Sequence, residues 1–160
     1  MRIGHGYDAH ALAPDRPLVL GGVRVPHDRG LAGHSDGDVL LHAVASALLG
    51  ALGEGDLGEH FPSADPTLRG VASGEILRSV VGRVEAAGLE VAHLDSTVVA
   101  QSPRLGPYRE PMAKEIARVL RVQPERVNVK VTSTDGLGAI GRGEGIAAHA
   151  VVLLRPREAW

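Results

Sequence analysis

Two short segments near the start of the chain place histidines and a carboxylate at spacings that suit a metal ion. In the first, Asp8 and His10 are two residues apart, so on a strand both side chains point to one face. The second, residues 34–42, has the pattern of a helix start and ends in His42. Two imidazoles and one carboxylate are typical of zinc sites that keep a fourth position open for chemistry.

A plainer interpretation has Asp8 and His10 hydrogen-bonded to loop backbone and His42 packed within a helix. Motifs of this length often match by accident. The nearby polar residues His34 and Asp38 favour metal binding. Asp38 lies one helical turn before His42, so its carboxylate is expected to orient the imidazole as a hydrogen-bond acceptor. A plainer role for Asp38 is to stabilise the first helical turn through the helix dipole, and the two roles are compatible.

Two other segments are candidates for binding phosphate. Residues 35–37 open a helix predicted over 37–52, with Ser35 or Asp36 as the N-cap, and free backbone N–H groups at a helix start attract anions. Residues 132–138 follow a strand and combine hydroxyls, a carboxylate and glycines, the groups that a magnesium–phosphate unit uses. Arg142 suits two-point phosphate binding. The alternative for this region is an ordinary polar turn with a surface Arg–Glu pair.

Length and composition limit the classes of function. The chain has 160 residues, which predicts a single domain over residues 1–160, and it has no cysteine, which excludes thiolate metal sites and cysteine nucleophiles. The net charge is −2 and the 17 basic residues are scattered, so nucleic-acid binding is not predicted. We find no secretory leader pattern and no apolar run of about 18 residues, and therefore expect a cytoplasmic protein without a membrane partner.

The hydrophobic pattern predicts an α+β fold with helices packed on one face of a mixed β-sheet. Strands are expected at residues 1–10, 89–100, 127–131 and 146–154, with helices at 37–52, at 73–87 and from after Pro107 to about 121. Gly21-Gly22 predicts a hairpin between 18–20 and 23–25. The strand at 146–154 is apolar on both faces, and three helices cover only one face of a small sheet. A partner subunit is expected to cover the other face, which predicts a homo-oligomer.

Several longer motifs follow one another along nearly the whole chain. They are Arg2-Ile3-Gly4-His5-Gly6-Tyr7-Asp8-Ala9-His10, Leu20-Gly21-Gly22-Val23, His34-Ser35-Asp36-Gly37-Asp38, Gly55-Asp56-Leu57-Gly58, Phe61-Pro62, Asp65-Pro66, Ala100-Gln101 and Gly141-Arg142-Gly143-Glu144-Gly145-Ile146-Ala147. In this order they resemble the 2-C-methyl-D-erythritol 2,4-cyclodiphosphate synthase family of non-mevalonate isoprenoid biosynthesis.

The resemblance implies a phosphorus–oxygen lyase that works as a homotrimer, with sheets meeting in the trimer and active sites between neighbouring subunits. The implied substrate is 4-diphosphocytidyl-2-C-methyl-D-erythritol 2-phosphate. Its 2-phosphate attacks the β-phosphorus, CMP leaves, and 2-C-methyl-D-erythritol 2,4-cyclodiphosphate forms. Such an intramolecular transfer depends mainly on alignment and charge neutralisation.

The same resemblance assigns roles to particular residues. Asp8, His10 and His42 would hold zinc, and Asp135 would hold magnesium or manganese. The catalytic residues that polarise and align the phosphate would be His34 and Ser133. The implied substrate-binding residues are Asp8, His10, His34, Ser35, Asp56, Leu57, Gly58, Phe61, Ser63, Asp65, Ala100, Arg104, Leu105, Gly106, Thr132, Ser133, Thr134, Ala139 and Arg142.

This chain departs from the family pattern at three of these positions. The family usually has glutamate at Asp135, a large apolar residue at Ala139 and an acidic residue at Ser63. All three positions lie outside the proposed zinc ligands, so the departures concern rate and cation preference rather than the class of reaction.

Two other functions compete with the synthase. A metal-dependent phosphohydrolase would use the same ligands to activate water. A non-catalytic trimer would bind an isoprenoid diphosphate or a partner protein, with the apolar final strand and Arg142 lining a channel.

Overall fold

The computed structural model describes residues 1–157, so residues 158–160 of the predicted domain lie outside the described range. The strands are β1 (Arg2–Pro14), β2 (Leu18–Leu20), β3 (Val23–Val25), β4 (Arg29–Leu31), β5 (Leu89–Val99), β6 (Val127–Thr132) and β7 (Gly145–Pro156). The α-helices are α1 (Val39–Leu52), α2 (Leu57–His60), α3 (Ser73–Ala86), α4 (Arg109–Leu120) and α5 (Gly138–Gly141), with 3-10 turns at Pro66–Leu68, Gly106–Tyr108 and Pro124–Arg126. The predicted α+β class is confirmed.

Five strands form one mixed sheet in the order β4-β1-β7-β5-β6. The β5–β6 pair is parallel and the other pairs are antiparallel. β2 and β3 form the separate two-stranded hairpin that the sequence predicts. Its turn residues Gly21 and Gly22 have φ values of 58° and 74°. A two-residue turn with positive φ at both positions favours glycine and matches the twist of the flanking strands.

Burial alternates along β7 from Ala148 to Leu154, which shows that the helices cover one face of the sheet. Ile146, Ala148 and Ala150 are buried beneath the helical layer, whereas His149 and Val151 on the opposite side are exposed. We call this opposite side the open face. The sequence prediction that the chain's own helices cover only one face is therefore confirmed within residues 1–157. None of these helices is long and apolar enough to cross a membrane.

Helix α1 packs directly on the backbone of β1 because two strand positions lack a side chain. A methyl group added to Gly4 would lie 1.9 Å from the carbonyl oxygen of Ala47, and one added to Gly6 would lie 1.9 Å from that of Ala43. Any larger residue would push the helix away from the strand. This close contact brings the first turn of α1 beside the middle of β1, where the predicted ligands Asp8 and His10 lie.

The start of α1 differs from the sequence prediction. The helix begins at Val39 with Asp38 as its N-cap, whereas Ser35 or Asp36 was expected. The backbone N–H groups of Gly37 and Asp38 donate to the side chains of Ser35 and Asp36. Residues 35–37 thus lie before the helix rather than at its first turn, and the amide of Gly37 already donates to a side chain. Anion binding by this segment stays a prediction.

Candidate active site

The three predicted metal ligands converge at the contact between β1 and α1. Oδ2 of Asp8 is 2.8 Å from Nε2 of His10 and 3.0 Å from Nδ1 of His42, and the two nitrogens are 3.3 Å apart. Ligand atoms around a tetrahedral zinc ion, at 2.0–2.1 Å from the metal, lie about 3.3 Å from one another. The two nitrogens have this spacing and the carboxylate oxygen lies slightly closer to each of them, so the donor set fits a zinc ion.

The outer nitrogens of both imidazoles also have partners. Nδ1 of His10 donates to the carbonyl oxygen of Ala32 at 2.6 Å. Nε2 of His42 is 2.9 Å from Oγ of Ser73, a hydroxyl that in turn donates to the carboxylate of Asp36. Such outer contacts orient metal-binding imidazoles and select the nitrogen that faces the ion. Here they leave Nε2 of His10 and Nδ1 of His42 for the metal.

The electrostatics of the cluster favour a cation. Burial of the Asp8 carboxylate raises its pKa, but hydrogen bonds with His10 and His42 outweigh burial and lower the pKa to about 2. The hydrogen bond to Asp8 raises the pKa of His10 against the opposing effect of burial. The carboxylate is thus ionised at neutral pH. A divalent ion would displace the proton that these groups share.

The role predicted for Asp38 in orienting His42 is wrong. Its fully buried carboxylate accepts from the backbone N–H groups of Gly21 at 2.9 Å, Gly22 at 2.7 Å and Leu41 at 3.1 Å. Burial raises the pKa of Asp38 to about 6, and these three hydrogen bonds oppose that rise. Asp38 joins the β2–β3 turn to the start of α1. The hydroxyls of Ser73 and Ser35 contact Nε2 of His42 instead, at 2.9 and 3.2 Å.

The ligand cluster opens into a cavity of about 360 Å³. Beside the three ligands, the sequence-predicted residues that line it are His34, Ser35, Leu57, Gly58, Phe61 and Ser63. The predicted contacts Asp56 and Asp65 are not among its lining residues. Their carboxylates accept from the backbone N–H groups of Glu59 and Thr67, which caps the short helical turns that follow.

A second cavity of about 400 Å³ lies at the carboxyl end of β6. It is lined by the predicted residues Ala100, Arg104, Leu105, Gly106, Thr132 and Ser133. The two cavities share no lining residue. Strands β7 and β5 lie between β1 and β6 in the sheet, so one chain does not bring His34 and Ser133 into the same cavity.

The comparisons with known proteins identify the family. A model of the YgbB family matches residues 1–155. The chain belongs to the YgbB family.

The family resemblance predicted from the motifs is also confirmed by the names of its relatives. A 2-C-methyl-D-erythritol 2,4-cyclodiphosphate synthase from Moorella thermoacetica is 57% identical over 159 residues, which cover 99% of this chain and 98% of the relative. The synthase from Trichlorobacter lovleyi is 54% identical over 98% of this chain and 100% of its own length.

Solved structures of YgbB relatives have the same fold. A 2C-methyl-D-erythritol-2,4-cyclodiphosphate synthase in a CDP-bound form matches with a TM-score of 0.88 and 38% identity, over 96% of this chain and all of the other chain. The bifunctional IspDF from Campylobacter jejuni matches with a TM-score of 0.94 and 41% identity over 98% of this chain. This chain spans only 42% of that larger protein.

Four further predicted residues of this YgbB chain line neither cavity. The hydroxyl of Thr134 donates to the carbonyl oxygen of Leu137. The adjacent Asp135 is exposed and has a φ of 54°. Ala139 lies in α5, and the exposed Arg142 forms an ion pair with Glu144, with 3.1 Å between Nε and Oε1. Within one chain these groups are therefore not assembled with the ligand cluster.

Ser73 is the functional candidate that the sequence analysis missed. We expect Ser73→Ala to weaken zinc affinity by roughly 10-fold, because Nε2 of His42 loses the nearer of its two hydroxyl partners and keeps only that of Ser35, 3.2 Å away. Competition with a chromophoric zinc chelator measures this change. The matched control is Ser96→Ala, which removes another buried hydroxyl, one that donates to the carbonyl oxygen of Asn128 far from the ligands. Equal zinc affinities in the two variants would contradict the orienting role.

Proposed function

We propose that this chain converts 4-diphosphocytidyl-2-C-methyl-D-erythritol 2-phosphate into 2-C-methyl-D-erythritol 2,4-cyclodiphosphate and CMP. An oxygen of the 2-phosphate attacks the β-phosphorus while the bond from that phosphorus to the bridging oxygen breaks. CMP leaves with that oxygen and its electron pair. The observation that carries the proposal is the Asp8–His10–His42 cluster on the wall of a cavity, in a chain of the YgbB family.

Each of the two cavities supplies its own side chains to the proposed reaction. Asp8, His10 and His42 would hold zinc, and Asp135 would hold magnesium or manganese, ions that neutralise phosphate charge when bound. His34 lies on the wall of the same cavity as the zinc ligands and polarises a phosphate oxygen there. Ser133 aligns the diphosphate from the second cavity. Alignment of this kind contributes about 7–11 kcal/mol to a well-oriented ring closure.

The walls of the first cavity also favour ring closure over hydrolysis. Leu57, Phe61, Leu68 and Ile76 line it next to the polar residues. Apolar walls around a phosphorus centre restrict the access of water, which would otherwise compete for the same atom. The same ligand cluster in a wetter cavity would suit a phosphohydrolase.

We extend the proposal to a homotrimer whose active sites lie between subunits, as the sequence resemblance implies. Two features support it: the two cavities share no residue within a chain, and the open face carries exposed apolar side chains. Ile3 is 70% exposed, Tyr7 54% and Val151 40%. Large exposed apolar groups on one surface are typical of interaction sites. Residues 1–160 would then act as one domain, and the cytoplasmic location stays a prediction.

Subunit complementation tests the shared site. Asp8→Ala and Asp135→Ala are each expected to be inactive, but mixed trimers purified after co-expression with two different tags should regain activity. In a ring of three that contains both variants, about one site in three combines an intact zinc half with an intact half from a neighbouring copy. The matched control pairs Asp8→Ala with His42→Ala, both in the zinc half, and should regain nothing. Purified mixed oligomers without activity in the first pairing would contradict shared sites.

Phosphorus NMR of the protein with the cytidylyl substrate, zinc and magnesium tests the reaction itself. CMP and a cyclic diphosphate are expected. CMP with a linear product would make the chain a hydrolase. Unchanged substrate in the presence of folded, metal-loaded protein would overturn the enzymatic proposal and favour the non-catalytic binding of a diphosphate.

A further inference from the structure

Two exposed histidines meet on the open face of the sheet, away from the candidate active site. His5 lies on β1 opposite Val151, and His149 lies on β7 opposite Tyr7, so the two imidazoles are diagonal neighbours on adjacent strands. Nε2 of His5 is 3.3 Å from Nδ1 of His149. Gly4 and Gly6 on either side of His5 face α1, so the His5 side chain points away from the zinc ligands.

The separation of the two nitrogens matches that of two ligands on one metal ion. Zinc–nitrogen bonds of 2.0–2.1 Å in a tetrahedral arrangement separate two nitrogens by about 3.3 Å. The nitrogens of His10 and His42 in the proposed zinc site are also 3.3 Å apart. The ring of Tyr7 lies 4.9 Å from that of His149, with the planes at 52°, and limits how the His149 ring rotates.

We infer that His5 and His149 form a second metal site, which takes a divalent late first-row transition metal such as Zn²⁺. Imidazole nitrogens prefer zinc, nickel and copper to magnesium or calcium, which prefer oxygen. Water or the equivalent imidazoles of a neighbouring copy complete the coordination, because the pair lies on the face that we propose to meet other subunits. The site therefore needs no group from the catalytic cavity.

A direct hydrogen bond between the two rings is the competing explanation of their contact. It requires a proton on one nitrogen and a lone pair on the other, and it gives no affinity for metal beyond that of any surface histidine. If the pair binds a metal ion, both rings contribute to the affinity for that ion. Two ligands held on one rigid sheet act together, so the loss of either weakens binding by roughly 10²-fold.

Zinc titration of the metal-free protein, followed by calorimetry, tests this inference. We expect two classes of zinc site in the unmodified protein. His149→Gln and His5→Gln should each weaken one class by roughly 10²-fold and leave the other intact. His42→Ala should do the reverse, which separates this site from the one proposed for catalysis. Circular dichroism confirms that each variant is folded.

His93→Gln is the matched control, since His93 is also exposed on the open face, on β5 opposite Leu153. It should leave both classes of zinc site unchanged. A single class of zinc site in the unmodified protein would overturn the inference. The inference would also be overturned by a second class of zinc site that survives in both His5→Gln and His149→Gln. The same holds for a second class that His93→Gln removes equally well.

Discussion

Replacing His42 with alanine is expected to lower the kcat of cyclic diphosphate formation by roughly 10³-fold or more, since a metal that neutralises phosphate charge contributes several kcal/mol to the transition state. His42 supplies one of the three converging ligand atoms, and its Nδ1 lies 3.0 Å from Oδ2 of Asp8. Without it, Asp8 and His10 alone are left to hold the ion. Phosphorus NMR measures the rate, and elemental analysis measures bound zinc.

The matched control is His93→Ala, which removes an exposed imidazole from the opposite face of the sheet. It should keep both the rate and the zinc content of the proposed catalytic site. Partial recovery of the His42→Ala rate by added imidazole would support a missing ligand rather than a misfolded helix. A His42→Ala protein that turned over substrate at the normal rate without zinc would contradict the proposed function of the cluster.

Replacing Asp38 with alanine is expected to reduce the free energy of unfolding by roughly 3–5 kcal/mol, because backbone N–H groups lose their acceptor in a buried place and α1 loses its N-cap. The carboxylate accepts from Gly21 and Gly22 in the hairpin turn and from Leu41 in the helix. The hydrogen bonds from Gly21 and Leu41 are buried, so water does not replace the carboxylate as their acceptor. Urea denaturation monitored by circular dichroism measures the loss.

Asp65→Ala is the control for Asp38→Ala, because Asp65 also caps a helical turn through its carboxylate but lies at the surface. Water can solvate the N–H groups that this variant exposes, so its loss of stability should be much smaller. Similar losses in the two variants would show that capping alone, and not the buried link to the hairpin, explains the stability effect of Asp38.

The zinc ligands could be predicted from the sequence because strand and helix periodicity determine which side chains share a face. Asp8 and His10 lie two residues apart on β1, and His42 lies in the first turn of α1. Ser73 could not be found in this way. It lies 31 residues from His42 in the chain, and only the packing of α3 against α1 brings its hydroxyl to the imidazole.

The N-cap of α1 also could not be predicted from local sequence, although the contact that decides it spans fewer residues. Ser35, Asp36 and Asp38 are all good capping residues, and local preference does not separate them. The structure selects Asp38 because its carboxylate also satisfies the amides of Gly21 and Gly22, which the hairpin turn leaves without backbone partners. A contact across 17 residues thus decided where the helix begins and directed the carboxylate of Asp38 to the hairpin rather than to the imidazole of His42.

The sequence by itself determined the family, the α+β class, the hairpin and the three converging ligands, since each depends on ordered motifs or on periodicity within one element. Only the tertiary structure decided that His34 and Ser133 line different cavities and that His5 and His149 meet on the open face. The physical reason is the order of the strands. Hydrogen bonding places β7 beside β1 and β6 two strands further on, and no local pattern in the chain specifies those neighbours.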